Sequence, residues 1–414
     1  MVSRPASVRI PPRPRPAAAP AILRPYGRQT IDDDDIAAVV SALRADQLTC
    51  GPGVAAFEAD LAAFLGARHV TVCSSGTAAL HLAYAVLGLG PGDEIITTPI
   101  TFSATASAAY QVGATIRLAD VDPTTGNLDV ASVARLVGPR TRAIVAVHLA
   151  GQPADLDELT DVARRAGVFL VEDACHALGA TYRGRAVASG EADAAVLSFH
   201  PVKHITTGEG GAVIVRDPER HRHAQRLRHH GIERDPARWS RPSPGPWYHE
   251  VVEQGWNYRL PDIACALGRA QLRRLPEFLA RRRQLAAAYR RAITACFGDG
   301  ADAAVRPPPS TPDRESAYHL FPVAIDFDEL GVDRGALMTA LAARGIGTQV
   351  HYIPLHHHPF HHARMGEHAG MPRPGAEAYY ARTLSLPMYP GLDPHQDVEI
   401  VIEALDQCLM ELSR

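Results

Sequence analysis

One lysine stands in the whole chain. Lys203 lies in Ser198-Phe199-His200-Pro201-Val202-Lys203-His204-Ile205-Thr206-Thr207-Gly208-Glu209-Gly210-Gly211, between an apolar run and a glycine-rich turn, against 41 arginines elsewhere. Surface charge can use either residue, so this skew marks ordinary lysines as replaceable by arginine and Lys203 as not. An ammonium can lose its proton at accessible cost and attack a carbonyl to form a Schiff base, whereas a guanidinium stays protonated. A chance survivor is the bland alternative. Position favours the Schiff base, because strand ends beside glycines are where active sites collect.

Ser74-Ser75-Gly76-Thr77 follows a short β-like run and opens a helix at Ala78. Such a turn presents unpaired backbone N–H groups and the positive end of a helix dipole, a cup for phosphate as well as an ordinary N-cap. Beside an aldehyde-trapping lysine, the cup suggests pyridoxal phosphate. In Val168-Phe169-Leu170-Val171-Glu172-Asp173-Ala174-Cys175-His176 the acids come only at the strand's C-terminal end, where open α/β sheets bind ligands. A carboxylate there can pair with a protonated pyridine nitrogen, and Asp173 is assigned that role; a surface Glu-Asp pair is the plain alternative. Phe102 could stack on a flat ring, Ser198 could donate to a phosphate, and Asn257 is one of two asparagines in the chain. The histidines His351, His356, His357, His358, His361 and His362 invite a metal reading. Prolines break the spacing and no carboxylate or cysteine nearby completes a set, so no metal is expected and solvated or substrate-facing roles are.

A net charge of −3 gives no reason to expect nucleic acid. The six cysteines are scattered without a CxxC, as in reduced cytosolic proteins, and no apolar run approaches a membrane span. A cytoplasmic enzyme is expected. Residues 1–25, rich in Pro, Ala and Arg, read as a disordered arm. Beyond it, strands at Glu94–Thr97, Thr115–Leu118, Ala143–Val147 and Val168–Glu172 alternate with helices at Phe102–Val112, Asp129–Leu136 and Leu156–Ala166, the pattern of a mostly parallel sheet covered on both faces. The runs Ala194–Phe199 and Ala212–Val215 complete it. Arg220–Trp247 reads as an exposed excursion, and Pro261–Phe297 as long helices forming a spine between domains. The rest reads as an α+β unit: strand Tyr318–Asp326, helix Arg334–Arg344, strand Gly347–His351 and a helix His395–Leu412. The expected division is a large domain over residues 26–260 and interdomain helices plus a small domain over 261–414.

With Ser75-Gly76-Thr77-Ala78-Ala79-Leu80, Glu172-Asp173-Ala174-Cys175-His176-Ala177, Ser198-Phe199-His200-Pro201-Val202-Lys203, Glu209-Gly210-Gly211-Ala212 and Asn257-Tyr258-Arg259-Leu260 in view, the chain from about Tyr26 onward resembles the DegT-like nucleotide-sugar aminotransferases, pyridoxal phosphate enzymes of fold type I. Within that family Ser198–Gly211, Trp247-Tyr248 and His351-Tyr352-Ile353-Pro354 are most similar to the pseudaminic acid branch. The resemblance implies that Lys203 forms the Schiff base, Asp173 holds the pyridinium, Phe102 covers the ring, and Gly76, Thr77 and Ser198 bind phosphate. It puts His176 near the phenolic oxygen and implies a homodimer in which Asn257 reaches the neighbour's cofactor. Arg259, His351, Tyr352 and His356 are candidates for substrate contact. L-Glutamate would be the donor and a UDP-linked 4-keto-6-deoxy-2-acetamido sugar the acceptor, with Lys203 shuttling the proton. The alternatives are another nucleotide sugar, such as a GDP-4-keto-6-deoxymannose, or a pyridoxal phosphate-binding regulator that does not turn over.

Overall fold

The computed structural model describes residues 23–413. Its larger sheet has seven strands: β1 (His69–Cys73), β2 (Glu94–Thr97), β3 (Thr115–Leu118), β4 (Thr141–Val147), β5 (Phe169–Asp173), β6 (Ala194–Ser198) and β7 (Gly211–Val215). Their spatial order is β1-β7-β6-β5-β4-β2-β3, and β7 alone runs against its neighbours. Successive residues of a strand point to opposite faces, and here each face meets a helical layer. Val171, Val196 and Val213 pack with helices α3 (Gly76–Val86), α4 (Ala104–Gln111) and α7 (Pro218–Arg228). Val70, Val72, Leu197 and Ile214 join α2 (Pro52–Leu65) on the other face, while Ile96, Ile144 and Leu170 meet α5 (Val130–Leu136) and α6 (Leu156–Ala166) there. Double-sided burial explains why these strands read as unbroken apolar runs.

Helix α1 (Asp33–Leu43) starts on a capping box between Asp32 and Asp35 and lies on α8 (Asp262–Phe297). The spine expected as several helices is this one continuous 36-residue helix, which keeps Pro276 within it. Its first half packs Cys265, Leu272 and Leu275 in the core beneath the large sheet, and its second half packs Leu285, Tyr289 and Ile293 in the core of the smaller unit. That unit has an antiparallel sheet of β8 (Val305–Arg306), β9 (Phe321–Ile325) and β10 (Thr383–Leu386), covered by α9 (Arg334–Ala343) and by α12 (Gln396–Leu412). Two shorter helices, α10 (Pro359–Met365) and α11 (Pro374–Arg382), stand between.

Three expectations need correction. Arg220–Trp247 is not all excursion: α7 takes up its first part and buries Ala224 and Leu227, two apolar residues three apart, too few to mark a helix face among so many arginines. Gly347–His351 makes a single bridge, Gln349 to Ser385, rather than a strand, because the segment bends into the large cavity. Residues 1–22 of the proposed arm lie outside the described residues. Its last part is tied down, since the Leu23 and Arg24 amides donate to the Gly345 carbonyl at 2.9 and 3.0 Å.

Candidate active site

Strands β4 and β5 end level, with Val147 beside Asp173, while β6, where Val196 lies beside Asp173, runs two residues further to Ser198. Over those ends opens a cavity of about 670 Å3. Lys203, Asp173, Gly76, Thr77, Phe102, His176, Ser198, His351 and Tyr352 all line it. Nine of the twelve residues singled out from the sequence are thus brought together.

The Glu172-Asp173 pair divides by the two-residue period of the strand. Glu172 turns away from the cavity and accepts from the His148 ring at 3.2 Å and the Ala188 amide at 3.0 Å, both buried. Asp173, 5 % exposed, faces the cavity. Its carboxylate accepts from the Thr105 hydroxyl at 2.9 Å and the Cys175 amide at 3.3 Å, which fix its orientation. Burial pushes the Lys203 ammonium below the ordinary lysine value, against the pull of nearby acids. Burial holds the Cys175 thiol protonated by pushing it well up, so Asp173 is the effective countercharge.

The phosphate cup follows from α3 and its neighbours. Ser75 caps the helix, its hydroxyl accepting from the Ala78 amide at 3.1 Å. A side chain on Gly76 would come within 2.9 Å of Ser198 Cβ, and one on Gly211 within 2.4 Å of the Ser75 carbonyl oxygen. Only glycine lets β7 and the Ser198 end of β6 close on the first turn of α3, which brings Gly76, Thr77 and Ser198 together on the cavity wall at a helix N-terminus.

Opposite the lysine stands a set of neutral imidazoles. His176 shares a 3.1 Å hydrogen bond between Nε2 and the Tyr352 hydroxyl, and its buried Nδ1 has no partner. The His319 ring lies 4.4 Å from that of His176, again with an unpartnered Nδ1. Burial pushes both well below the usual imidazole value, helped by the Lys203 charge. His351 is held at about 3 by burial and is joined to Ser385 Oγ at 2.9 Å. The Phe102 ring, 62 % exposed, sits at the rim 6.2 Å from Tyr352.

Three residues lie elsewhere. Asn257 is exposed on the outer surface, bridged to His229, and Arg259 donates to His229 at 3.0 Å in a separate depression lined by Cys50, Arg228 and Arg238. His356 points to Glu377. Sequence reading missed Thr105, His319 and Tyr26, which also line the cavity. Thr105 reaches Asp173 across 68 residues of chain and left no local signal, whereas His319 was visible as a lone polar ring at the mouth of an apolar strand. Another concavity, about 720 Å3, lies around Asp157, Arg183 and Arg185, whose charges are already paired with one another.

These features fit pyridoxal phosphate: an amine beside a fixed carboxylate, a helix start held close to two strands by glycines, and orphaned ring nitrogens at the cavity wall. Comparison with known proteins gives the same answer. Residues 29–406 match the DegT/DnrJ/EryC1/StrS aminotransferase family. The chain is 40 % identical over 383 residues to the spore coat polysaccharide biosynthesis protein SpsC of Bacillus subtilis (strain 168), covering 92 % of this chain and 96 % of that one. Helicobacter pylori PseC, an aminotransferase involved in the biosynthesis of pseudoaminic acid, superposes with a TM-score of 0.85 at 31 % identity, over 94 % of this chain and 99 % of that one. The putative sugar aminotransferase Spr1654 from Streptococcus pneumoniae, solved in its PLP form, gives 0.83 at 28 %, over 94 % and 99 %; its PMP form gives 0.84. The chain belongs to the DegT/DnrJ/EryC1/StrS aminotransferase family and is a pyridoxal phosphate-dependent sugar aminotransferase of fold type I.

Proposed function

We propose that this enzyme moves the amino group of L-glutamate to the C4 keto group of a nucleotide-linked 4-keto-6-deoxy sugar, UDP-2-acetamido-2,6-dideoxy-β-L-arabino-hexos-4-ulose being the preferred acceptor, as in pseudaminic acid biosynthesis. The observation that carries the reading is the cavity in which Lys203 and the Thr105-anchored Asp173 meet a wall of neutral histidines, large enough for a sugar beside a cofactor. The 31 % identity to PseC supports the acceptor. The higher identity to SpsC favours a second reading, a different nucleotide 4-keto sugar destined for a polysaccharide.

When bound, pyridoxal phosphate supplies an electron sink for the carbon that loses its proton. The chain supplies the rest. Asp173 would hold the pyridine nitrogen protonated, and Gly76, Thr77 and Ser198 would bind the phosphate. Lys203 Nζ, its pKa lowered by burial, takes a proton at neutral pH more readily than an exposed amine and hands it on from within the same cavity. His176 and Tyr352, joined by their hydrogen bond, would orient the phenolic oxygen and shield it from water. Phe102 would cover the exposed ring face. Asn257 and Arg259, outside their own chain's cavity, would serve the neighbouring active site in a homodimer.

A panel of nucleotide 4-keto sugars incubated with purified enzyme and L-glutamate, read by mass spectrometry, tests the proposal. Amino products about one mass unit heavier than the keto sugar should form from the UDP-linked acetamido sugar first; turnover of a GDP sugar alone would replace the acceptor. Failure of glutamate to bleach the yellow holoenzyme would remove the donor and favour a non-catalytic regulator.

A further inference from the structure

The histidine-rich turn after Tyr352 has a use the catalytic cavity does not absorb. His356 and His357, in the turn Leu355–His357, aim both Nε2 atoms at one oxygen of Glu377 on α11, at 2.7 and 3.0 Å. The three donor atoms lie within 4.8 Å of one another. The carboxylate missing from the sequence-local set is therefore present, delivered by the fold from 20 residues downstream. No other group of three such side chains comes this close among the described residues.

We propose that His356, His357 and Glu377 form a binding site for a divalent transition ion of the zinc class. Two imidazoles and one carboxylate are a donor set that zinc accepts, and the solvent-facing side leaves room for water as a fourth ligand. Tetrahedral bonds of about 2.0–2.2 Å separate neighbouring ligand atoms by roughly 3.3–3.6 Å, so the cluster, with nitrogen–oxygen separations of 2.7 and 3.0 Å, must open by roughly half an ångström. It can do so, because His357 and Glu377 are exposed. The rings are already oriented: His356 and His357 lie edge to face at 4.6 Å, and His357 meets the Tyr380 ring edge-on at 5.7 Å. The nearby Arg373 guanidinium does not compete for Glu377, being spent on the carbonyls of Leu118, His368, Ala369 and Met371.

The ion would work as a clasp. Helix α11 is anchored by the Gly375 and Ala376 amides, which donate to Asp120 at 2.9 Å each. Joining it to the turn between Tyr352 and His358 would stiffen the cavity wall that those two residues form. The clasp does not depend on which sugar is the acceptor.

The test is zinc chloride binding to full-length holoenzyme, measured by calorimetry and by metal content after gel filtration, with the thermal midpoint recorded in parallel. One zinc ion per chain and a raised midpoint are expected for the wild type. His357→Leu and Glu377→Gln, both at exposed positions, should weaken binding by more than about 10-fold, the loss that even an outer-shell partner brings, and abolish the midpoint shift. His362→Ala, an exposed histidine on α10, should bind like the wild type. No bound zinc in the wild type, or equal binding by His357→Leu, would overturn the site.

Discussion

Glu172 and Asp173 are adjacent acids with separate fates, because a strand sends neighbours to opposite faces and only one face opens on the cavity. The same logic gives Lys203 its chemistry. Lys203→Arg should fold normally yet lose the visible absorbance of the bound cofactor and at least about 10⁴-fold in turnover, since a guanidinium neither condenses with an aldehyde nor releases a proton. Absorbance spectra and steady-state rates check it. Thr105→Val removes the hydroxyl that steers Asp173 and should lower kcat more than it raises KM for glutamate. Acid stability rests on the buried imidazoles. The folded pKa of His351, about 3, lies below its ordinary 6.5, so between those values the unfolded chain binds a proton that the folded chain does not. Its contribution is complete above about pH 6.5 and is lost as pH falls toward 3, on the order of 5 kcal/mol in all. Urea unfolding at stepped pH should show that slope, and His351→Gln, which can still hydrogen-bond Ser385, should flatten it.

At the level of elements, the strand that ends in Lys203's turn and the helix that starts at Gly76 were legible because each carries a local signature: apolar runs for a doubly covered sheet, small hydroxyl residues and glycine for a helix start. What was not legible is what the fold brings from afar. Thr105 onto Asp173 and Glu377 onto His356 are pairings between segments, and no spacing within either segment announces them. The bend at residues 347–351 escaped for the same reason: the segment reads as a strand, but Gln349, Val350 and His351 line the cavity. The close approach of β7 to α3 is testable directly. Gly211→Ala puts a Cβ 2.4 Å from the Ser75 oxygen and should cost about 1–3 kcal/mol while weakening cofactor retention. Denaturant unfolding and a cofactor titration by absorbance measure the two effects separately.

Over the whole molecule, α8 belongs to both hydrophobic cores, so the two units share a continuous rod. The proposed dimer is the other long-range dependence. If Asn257 serves the neighbour's cavity, mixing Lys203→Arg with Asn257→Ala chains should restore activity, because each hybrid dimer holds one undamaged site. With random exchange about a quarter of the sites recover, as two-fold symmetry requires. Mixtures no more active than their components would place Asn257 in its own chain's chemistry.

The burial of Lys203 also decides how the protein meets amine-directed reagents. Every other basic side chain is arginine or histidine, so the outer surface offers amine-selective labels and lysine-specific proteases no primary amine on a side chain to seize. Among side chains, amine-specific reagents would interrogate the cavity alone, and a bound cofactor would hide that one amine from them.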